Sequence, residues 1–499
     1  PESRPAIDQV VHLMRTPSGS SAAVAAEQIT RYEFGVRTAP SDNSTPSLLD
    51  SNDLLASIRY PNRDEPAWGA PSPTDKVVMA YDRLGQLRSK LDQRGVRHSF
   101  TYDAAGRLKR NGTELAVGNL DVDSWMDAIE LAYGAGDGRL EFARSKYGST
   151  VVNAVQFEYD ALGRLTKFRQ NPVGDVSGAG AQAPTTKLVE YSYAPADAAT
   201  GNFARPSNIW YPSTPQTATT PPTPSTLGID YGPEGSLNSR VSRPRAITVG
   251  GAVGGGTAVQ YSYLGLTTPV VVDYPTPDIQ LDYSVSHNGS SSATAYPALD
   301  TFGRTRRILW NDGTFAPGTI TGEPNRPPLV ELAYAFDQAS NLVQKTDGRS
   351  GASRKRDEQY TLDGLMRLLK ARRGTLAATD EGALLMPAPG TQRYQYDFVG
   401  NIRSTEILAR VDENAPANPA DRKLNASFNA VNEQANYVEQ TGGSSGPAAK
   451  FAITHDAAGN VRTRETVAGG NRLAYRHDRW GRVTEVKFEI GSGSSDRAR

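Results

Sequence analysis

Apolar and polar residues alternate in short runs along most of this chain. Ser99-Phe100-Thr101-Tyr102 and Val155-Gln156-Phe157-Glu158-Tyr159 are two of them. A two-residue period puts successive side chains on opposite faces of an extended backbone, so these runs predict strands. They end in one phrase, Tyr-Asp-x-x-Gly-(Arg/Gln/Asn)-(Leu/Ile). The copies begin at Tyr81-Asp82 (with Gly85), Tyr102-Asp103 (Gly106, Arg107), Tyr159-Asp160 (Gly163, Arg164) and Tyr396-Asp397 (Gly400). Two further copies carry His in place of Tyr, His455-Asp456 (Gly459) and His477-Asp478 (Gly481, Arg482). Weaker copies surround Asp300, Asp337, Asp363 and Tyr133.

The phrase predicts a sharp reversal. Asp accepts backbone N–H bonds at the first position of a turn. Gly three residues later takes the positive φ at which a type I turn with a bulge ends. The following Arg-Leu opens the return strand, Leu on one face and Arg on the other. Each unit is therefore a hairpin of two strands of about six residues. A lone hairpin is marginal, and pairing with the next unit gives it a partner.

On these motifs the sequence resembles the YD-repeat, or RHS, family of bacteria, which also includes the C components of Tc toxins and animal teneurins. The resemblance spans roughly residues 76–490. It implies an all-β fold in which repeat hairpins form one continuous, spiralling sheet, a shell or barrel-like scaffold. In toxin members that shell encloses a C-terminal effector. This chain has no Asp-Pro-x-Gly phrase, the mark of the family's self-cleaving core, so self-cleavage is not assigned.

Three regions are expected: an irregular β segment over 1–75, the repeat shell over 76–490 and a flexible tail over 491–499. Within 1–75, Tyr32–Val36 and Leu55–Tyr60 read as strands. Residues 22–28 read as a short helix or a polar strand edge. Pro61, Pro66, Pro71 and Pro73 are expected to break regular structure. Segments 171–186, 212–226, 250–257, 311–328, 411–420 and 440–449 are rich in Pro, Gly, Thr, Ser, Asn or Ala and read as loops separating repeats.

Composition narrows the options. Tyr (22) outnumbers Phe (13) and Trp (5), and Gly (47) is abundant, which suits strands and turns. Lys plus Arg equals Asp plus Glu at 54 each, which argues against a nucleic-acid partner. No apolar run approaches the roughly eighteen residues of a membrane span. The first residue is Pro1 and no leader pattern follows, so a processed product or an excerpt is expected. The absence of Cys removes disulfides, thiolate nucleophiles and thiolate metal sites.

The remaining chemistry is sparse, and no catalytic residue, metal ligand or cofactor is assigned. His455 and His477 occupy an aromatic slot of the repeat. Gly442-Gly443-Ser444-Ser445-Gly446 has the spacing of a nucleophile elbow but sits in a low-complexity loop. Asn119, Asp121, Asp123, Asp127 and Glu130 have calcium-loop spacing without a preceding helix or the required Gly. The repeat Asp residues read as backbone acceptors. Arg107, Arg164 and Arg482 read as partners of Asp or of Tyr rings. The expected role is thus structural: a secreted or cell-surface bacterial scaffold that encapsulates a toxin or self-associates into a filament or matrix. The alternative is an adhesin for a surface glycan or protein, using Trp68, Trp125, Trp210, Trp310 and Trp480.

Overall fold

The computed structural model describes residues 9–13, 27–40, 46–61, 71–115, 122–176, 186–193, 205–212, 225–250, 256–284, 296–312, 315–316, 319–320, 329–348, 356–379, 382–397, 399–412, 421–429, 431–441, 449–466 and 470–490. They form an all-β fold dominated by one sheet of 33 strands. Almost every strand pairs antiparallel with the strands before and after it. The one described helix is a single turn, Leu237–Arg240, capped by the Ser236 hydroxyl.

Alternation in the sequence becomes two chemically different faces. Phe157, Phe168 and Val189 are successive cross-strand partners on one face, and Glu158, Lys167 and Glu190 on the other. The Phe157 and Phe168 rings lie 5.4 Å apart. Across the sheet, Lys167 Nζ lies 4.0 Å from Glu158 and 3.4 Å from Glu190. Tyr437 stacks on Phe451 at 4.3 Å on the aromatic face, and Arg110 and Lys146 flank Glu130 on the polar one.

The sheet is mostly a single layer. Most strand residues are accordingly half-buried. With little packed core, cross-strand pairs and connections along the rims must supply much of the stability.

Those rims differ. The turns at Asp82, Asp103 and Asp160 lie on one, here called the Tyr-Asp rim, because each follows a Tyr that ends a strand. The turns at Asp92 and Gly148 lie on the opposite rim. All six expected insertions also leave from the opposite rim, as the flanking strands require. Leu165–Asn171, for example, runs away from the Asp160 turn and pairs with Lys187–Tyr193. Inside these segments, Asn171–Val176 is tied together by Asn171, whose Oδ1 accepts from Val173 N–H at 3.1 Å. Phe315–Ala316 and Thr319–Ile320 form a small separate hairpin.

Two expectations for residues 1–75 change. Strands run over Glu27–Val36 and Ser51–Pro61, longer than the alternation suggests. Pro71 and Pro73 do not break the chain but begin the strand Pro71–Tyr81. Its pairing with the preceding strand shifts register between Arg59 and Pro61, where Pro costs the ladder least. Pro66 and residues 22–26 lie outside the described residues.

The sheet also meets itself. The strand Arg472–Asp478 makes a short parallel pairing with Val122–Asp123, through His477↔Val122 and Asp478↔Asp123. Here the Tyr-Asp rim of the last repeats sits against the opposite rim of the first ones. Arg94 donates to the carbonyls of Asp478 (3.1 Å) and Arg479 (3.0 Å). Arg479 donates to the Thr113 carbonyl at 2.9 Å. The Trp480 ring meets His98 edge-on, with centroids 6.0 Å apart. This seam turns an extended ribbon into a curled wall.

Candidate functional site

The repeat turns form a connected ladder along the Tyr-Asp rim. In the Asp103 turn, Asp103 N–H donates to the Arg107 carbonyl (2.9 Å) and Gly106 N–H to the Asp103 carbonyl (3.0 Å). Asp103 Oδ1 accepts from the N–H groups of Ala105 and Arg107, both at 2.9 Å. Its Oδ2 accepts from Arg107 Nε at 2.7 Å. A three-residue loop with a positive-φ exit is a type I turn with a glycine bulge, and the ladder shifts register beside it, between Thr101 and Tyr102. Gly106 has φ 79°.

The same carboxylate pattern recurs at Asp160, Asp397, Asp456 and Asp478. Arg holds Oδ2 at Asp160 and Asp478, and Asn401 and Asn460 hold it at Asp397 and Asp456; Asp82 has the two backbone bonds, with Gln86 at that position. The Arg107 guanidinium, followed by its backbone N–H, holds the Asp103 carboxyl below the usual range. At Asp160 the Arg164 backbone N–H leads, against a smaller opposing effect of burial.

The weaker copies keep the turn with substitutions. Ser340 (φ 68°) and Met366 (φ 63°) take the glycine position after Asp337 and Asp363. After Tyr133 the loop is longer, and the acceptor is Asp137, one residue before Gly138.

Contacts between repeats link the rungs. Tyr81 donates its hydroxyl to the Leu55 carbonyl at 2.9 Å, within the preceding strand, and the hydroxyl of each later repeat Tyr donates to a carbonyl just after the preceding turn. Tyr102 reaches Leu87 (2.8 Å), Tyr133 reaches Leu108 (2.8 Å), Tyr159 reaches Leu140 (3.1 Å) and Tyr396 reaches Leu368 (2.8 Å). The Arg of the preceding turn lies over the same Tyr ring: Arg107 over Tyr133 at 4.4 Å and Arg367 over Tyr396 at 4.6 Å. Turns also touch directly, with Gln86 Nε2 donating to the Gly106 carbonyl at 3.1 Å and Arg107 to Gly138 at 2.5 Å. Each Arg is thus aimed by its own Asp and spent on the next repeat's Tyr, which grips the strand start between them.

Several members of the ladder do not spell the phrase. Asp92 makes the same turn on the opposite rim, with Leu91 before it instead of Tyr. Asn429 replaces Asp, and Asn432 (φ 65°) replaces Gly. Tyr193, Tyr231 and Tyr263 fill the Tyr slot with no Asp-x-x-Gly after them. Their hydroxyls still reach the preceding strand starts, at Leu165, Pro206 and Pro244, and Arg164, Arg205 and Arg243 lie over their rings. An Arg-Pro pair before a strand is the usable signal for the last two.

The remaining sequence candidates separate. His455 Nδ1 lies 3.8 Å from Glu433, and His477 is buried in the seam. Asp123 Oδ1 caps Trp125 N–H at 3.1 Å, Asp127 Oδ2 accepts from Gly148 N–H at 2.7 Å, and Glu130 pairs with Arg110 and Lys146. Those acidic residues serve the opposite rim rather than one loop; Asn119 and Asp121 lie outside the described residues, as do Gly442–Gly446, Trp68 and His287. Trp125 is exposed, Trp310 leans on Tyr274 at 6.0 Å, and no two Trp rings stack among the described residues.

Two substitutions test the ladder. Gly106→Val is expected to cost about 1–3 kcal/mol, because a branched residue is strained at that φ and its Cβ would meet Gln86 Nε2 at 3.1 Å. An unchanged melting temperature would contradict the turn's role. Tyr102→Phe removes one hydroxyl and is expected to cost about 0.5–1.5 kcal/mol in denaturant titration.

Residues 81–115 match the family model described as RHS Repeat. No curated protein matches the chain. Among solved structures it is similar to the crystal structure of TcdB2-TccC3-Cdc42 at 11% identity and TM-score 0.47, covering 99% of this chain and 24% of that one. It is also similar to a Photorhabdus luminescens Tc holotoxin pore, at 10% identity and TM-score 0.44, covering 97% of this chain and 25% of that one. The chain spans about a quarter of the length of those solved chains.

Proposed function

Because the chain carries RHS repeats, we propose that it is a non-catalytic wall segment of a hollow scaffold, made by a bacterium and working outside the cell. The repeats span residues 76–490 and the wall encloses a polypeptide cargo. The seam is the observation that carries this reading: a single-layer sheet that comes round to pair with its own early strands bounds a space. The aromatic side of such a wall suits an unfolded chain. Among the described residues no helix is long and apolar enough to cross a membrane.

Electron microscopy of the isolated chain tests the first half. Closed, hollow particles are expected; open ribbons would reject the shell. The cargo is tested in the natural full-length polypeptide, where limited proteolysis should spare a segment that becomes digestible once Arg94→Ala loosens the wall. Equal digestion in both would reject enclosure.

Self-association into a filament has one observation in its favour. Leu84, Phe302, Leu365 and Leu162 stand at the turn tips of the Tyr-Asp rim and are 83%, 82%, 73% and 67% exposed. At the seam the equivalent tip residue, Trp480, is covered by the opposite rim. The adhesin reading fares worse. A cavity of about 540 Å³ on the aromatic face includes Tyr437, but Phe451 and Arg464 cover that ring.

A further inference from the structure

Asp273 sits in the middle of the sheet, 2% exposed, and its Oδ1 has no hydrogen-bond partner. Nearby Asp278 also has a buried, unpartnered Oδ1, and its charge is felt at Asp273. An ionised carboxylate shielded from water and left unpaired is costly, so such a group takes up either a proton or a cation. The register identifies what surrounds it. Gln260, Asp273 and Gln280 are successive cross-strand partners, so their side chains share one face at the spacing of neighbouring strands. Asp282, one pair further along that face, is already committed to the N–H and hydroxyl of Ser284, at 2.7 and 2.6 Å. No Lys or Arg stands in the row of cross-strand partners to neutralise Asp273.

We propose that Asp273 and Asp278, with the side-chain oxygens of Gln260 and Gln280, hold a calcium ion. The donor set is all oxygen, mixes two carboxylates with neutral amides and comes from flexible side chains. That composition suits calcium, which accepts irregular coordination by six to eight oxygens, better than magnesium, which requires a near-ideal octahedron. Two carboxylates give a modest site, with an expected Kd of about 10⁻⁴–10⁻³ M, the range of extracellular modules. The ion would fasten the hairpin Thr268–Tyr274 and Ile279–Asp282 to the strand Gly256–Leu264, in a stretch where no Asp-x-x-Gly turn ties the rim. Burial, followed by the Asp278 charge, pushes the Asp273 carboxyl above its ordinary value.

The test uses the whole chain, stripped with a chelator and titrated with calcium chloride in a calorimeter, with melting followed in parallel. Expected are a saturable heat, a rise in melting temperature and a much weaker response to magnesium. Asp273→Asn should abolish the calcium response while melting no lower than the stripped wild type, because it removes an unpaired charge. Asp278→Asn, nearer the surface, should weaken binding at least about tenfold and guards against a misfolded first variant. No heat and no melting shift at about 10 mM calcium, ten or more times the expected Kd, would overturn the site. So would a full response in Asp273→Asn. A stripped wild type that ignores calcium, yet gains stability relative to stripped Asp273→Asn from pH 7 to pH 5, would show that a proton is the occupant, and would equally overturn it.

Discussion

Replacing Arg94 with Ala is expected to lower the unfolding free energy by about 3–5 kcal/mol, the usual cost of breaking a buried ionic contact by removing one partner. The Arg94 side chain is only 6% exposed. It holds Asp92 through Nε at 3.0 Å and a second nitrogen at 2.9 Å, and reaches across the seam to the carbonyls of Asp478 and Arg479. Asp456 Oδ2 lies 3.9 Å away. Truncation takes the guanidinium from Asp92 Oδ2, leaving that carboxylate only the backbone bonds of its Oδ1, and deprives both carbonyls of a donor at once. Arg94→Lys keeps a charge but not the planar fork, so it should recover only part of the loss. Calorimetric melting measures the size of the effect, and hydrogen exchange locates it. Amide protection should fall at 122–123 and 477–479 and remain at the Asp160 turn. Destabilisation with the seam amides still protected would refute the assignment of Arg94 as its fastener.

Acid is the second expected way to open the seam. His98 bonds Asn111 at 3.2 Å, lies against Trp480 and Phe100, and is faced by Asp92, Lys90 and Arg94. His477 is faced by Asp456, Arg94 and Asp478. Burial holds both imidazoles below their ordinary pKa; the neighbouring carboxylates oppose the shift and Arg94 adds to it. The folded state therefore binds fewer protons than the unfolded chain. Stability is level above about pH 6.5, the ordinary histidine value, and falls as pH drops below it toward the folded values. Asp103 and Asp160 are shifted down from the carboxylate range, so their contribution is lost only below about pH 4, in a separate window. Melting between pH 7 and pH 5 should decline in the wild type and flatten in the His98→Gln/His477→Gln double variant. An equal slope in both would remove these histidines from the account.

Much of the sheet was legible because its information is local. Alternation decides which face Phe157 and Glu158 occupy, and Asp-x-x-Gly marks where the chain reverses. Substituted turns were harder. Asn429 and Asn432 make the same bonds with different letters, since an amide oxygen accepts as a carboxylate does and Asn tolerates positive φ. Tyr231 and Tyr263 were hidden because what places them is the strand register, while the residues after them follow no motif. Pro71 and Pro73 misled for the complementary reason: at the start of a strand, proline interrupts few ladder bonds. The seam was not legible at all. Arg94 and Asp478 lie 384 positions apart, and nothing in either local phrase names the other. Asp273 was invisible likewise, because alternation shows a polar residue on a face without showing whether that face is wet.

The direction of the ladder has a consequence for how this protein is made. Tyr102 seals the strand that follows the Asp82 turn, and Tyr133 the strand that follows the Asp103 turn, so the clasp always arrives with later sequence. A ribosome delivers the chain in that order. Each newly emerged hairpin therefore locks its predecessor, and assembly advances like a ratchet toward later sequence, with the long-range fastening between Arg94 and the Asp478 turn made only once that turn has emerged.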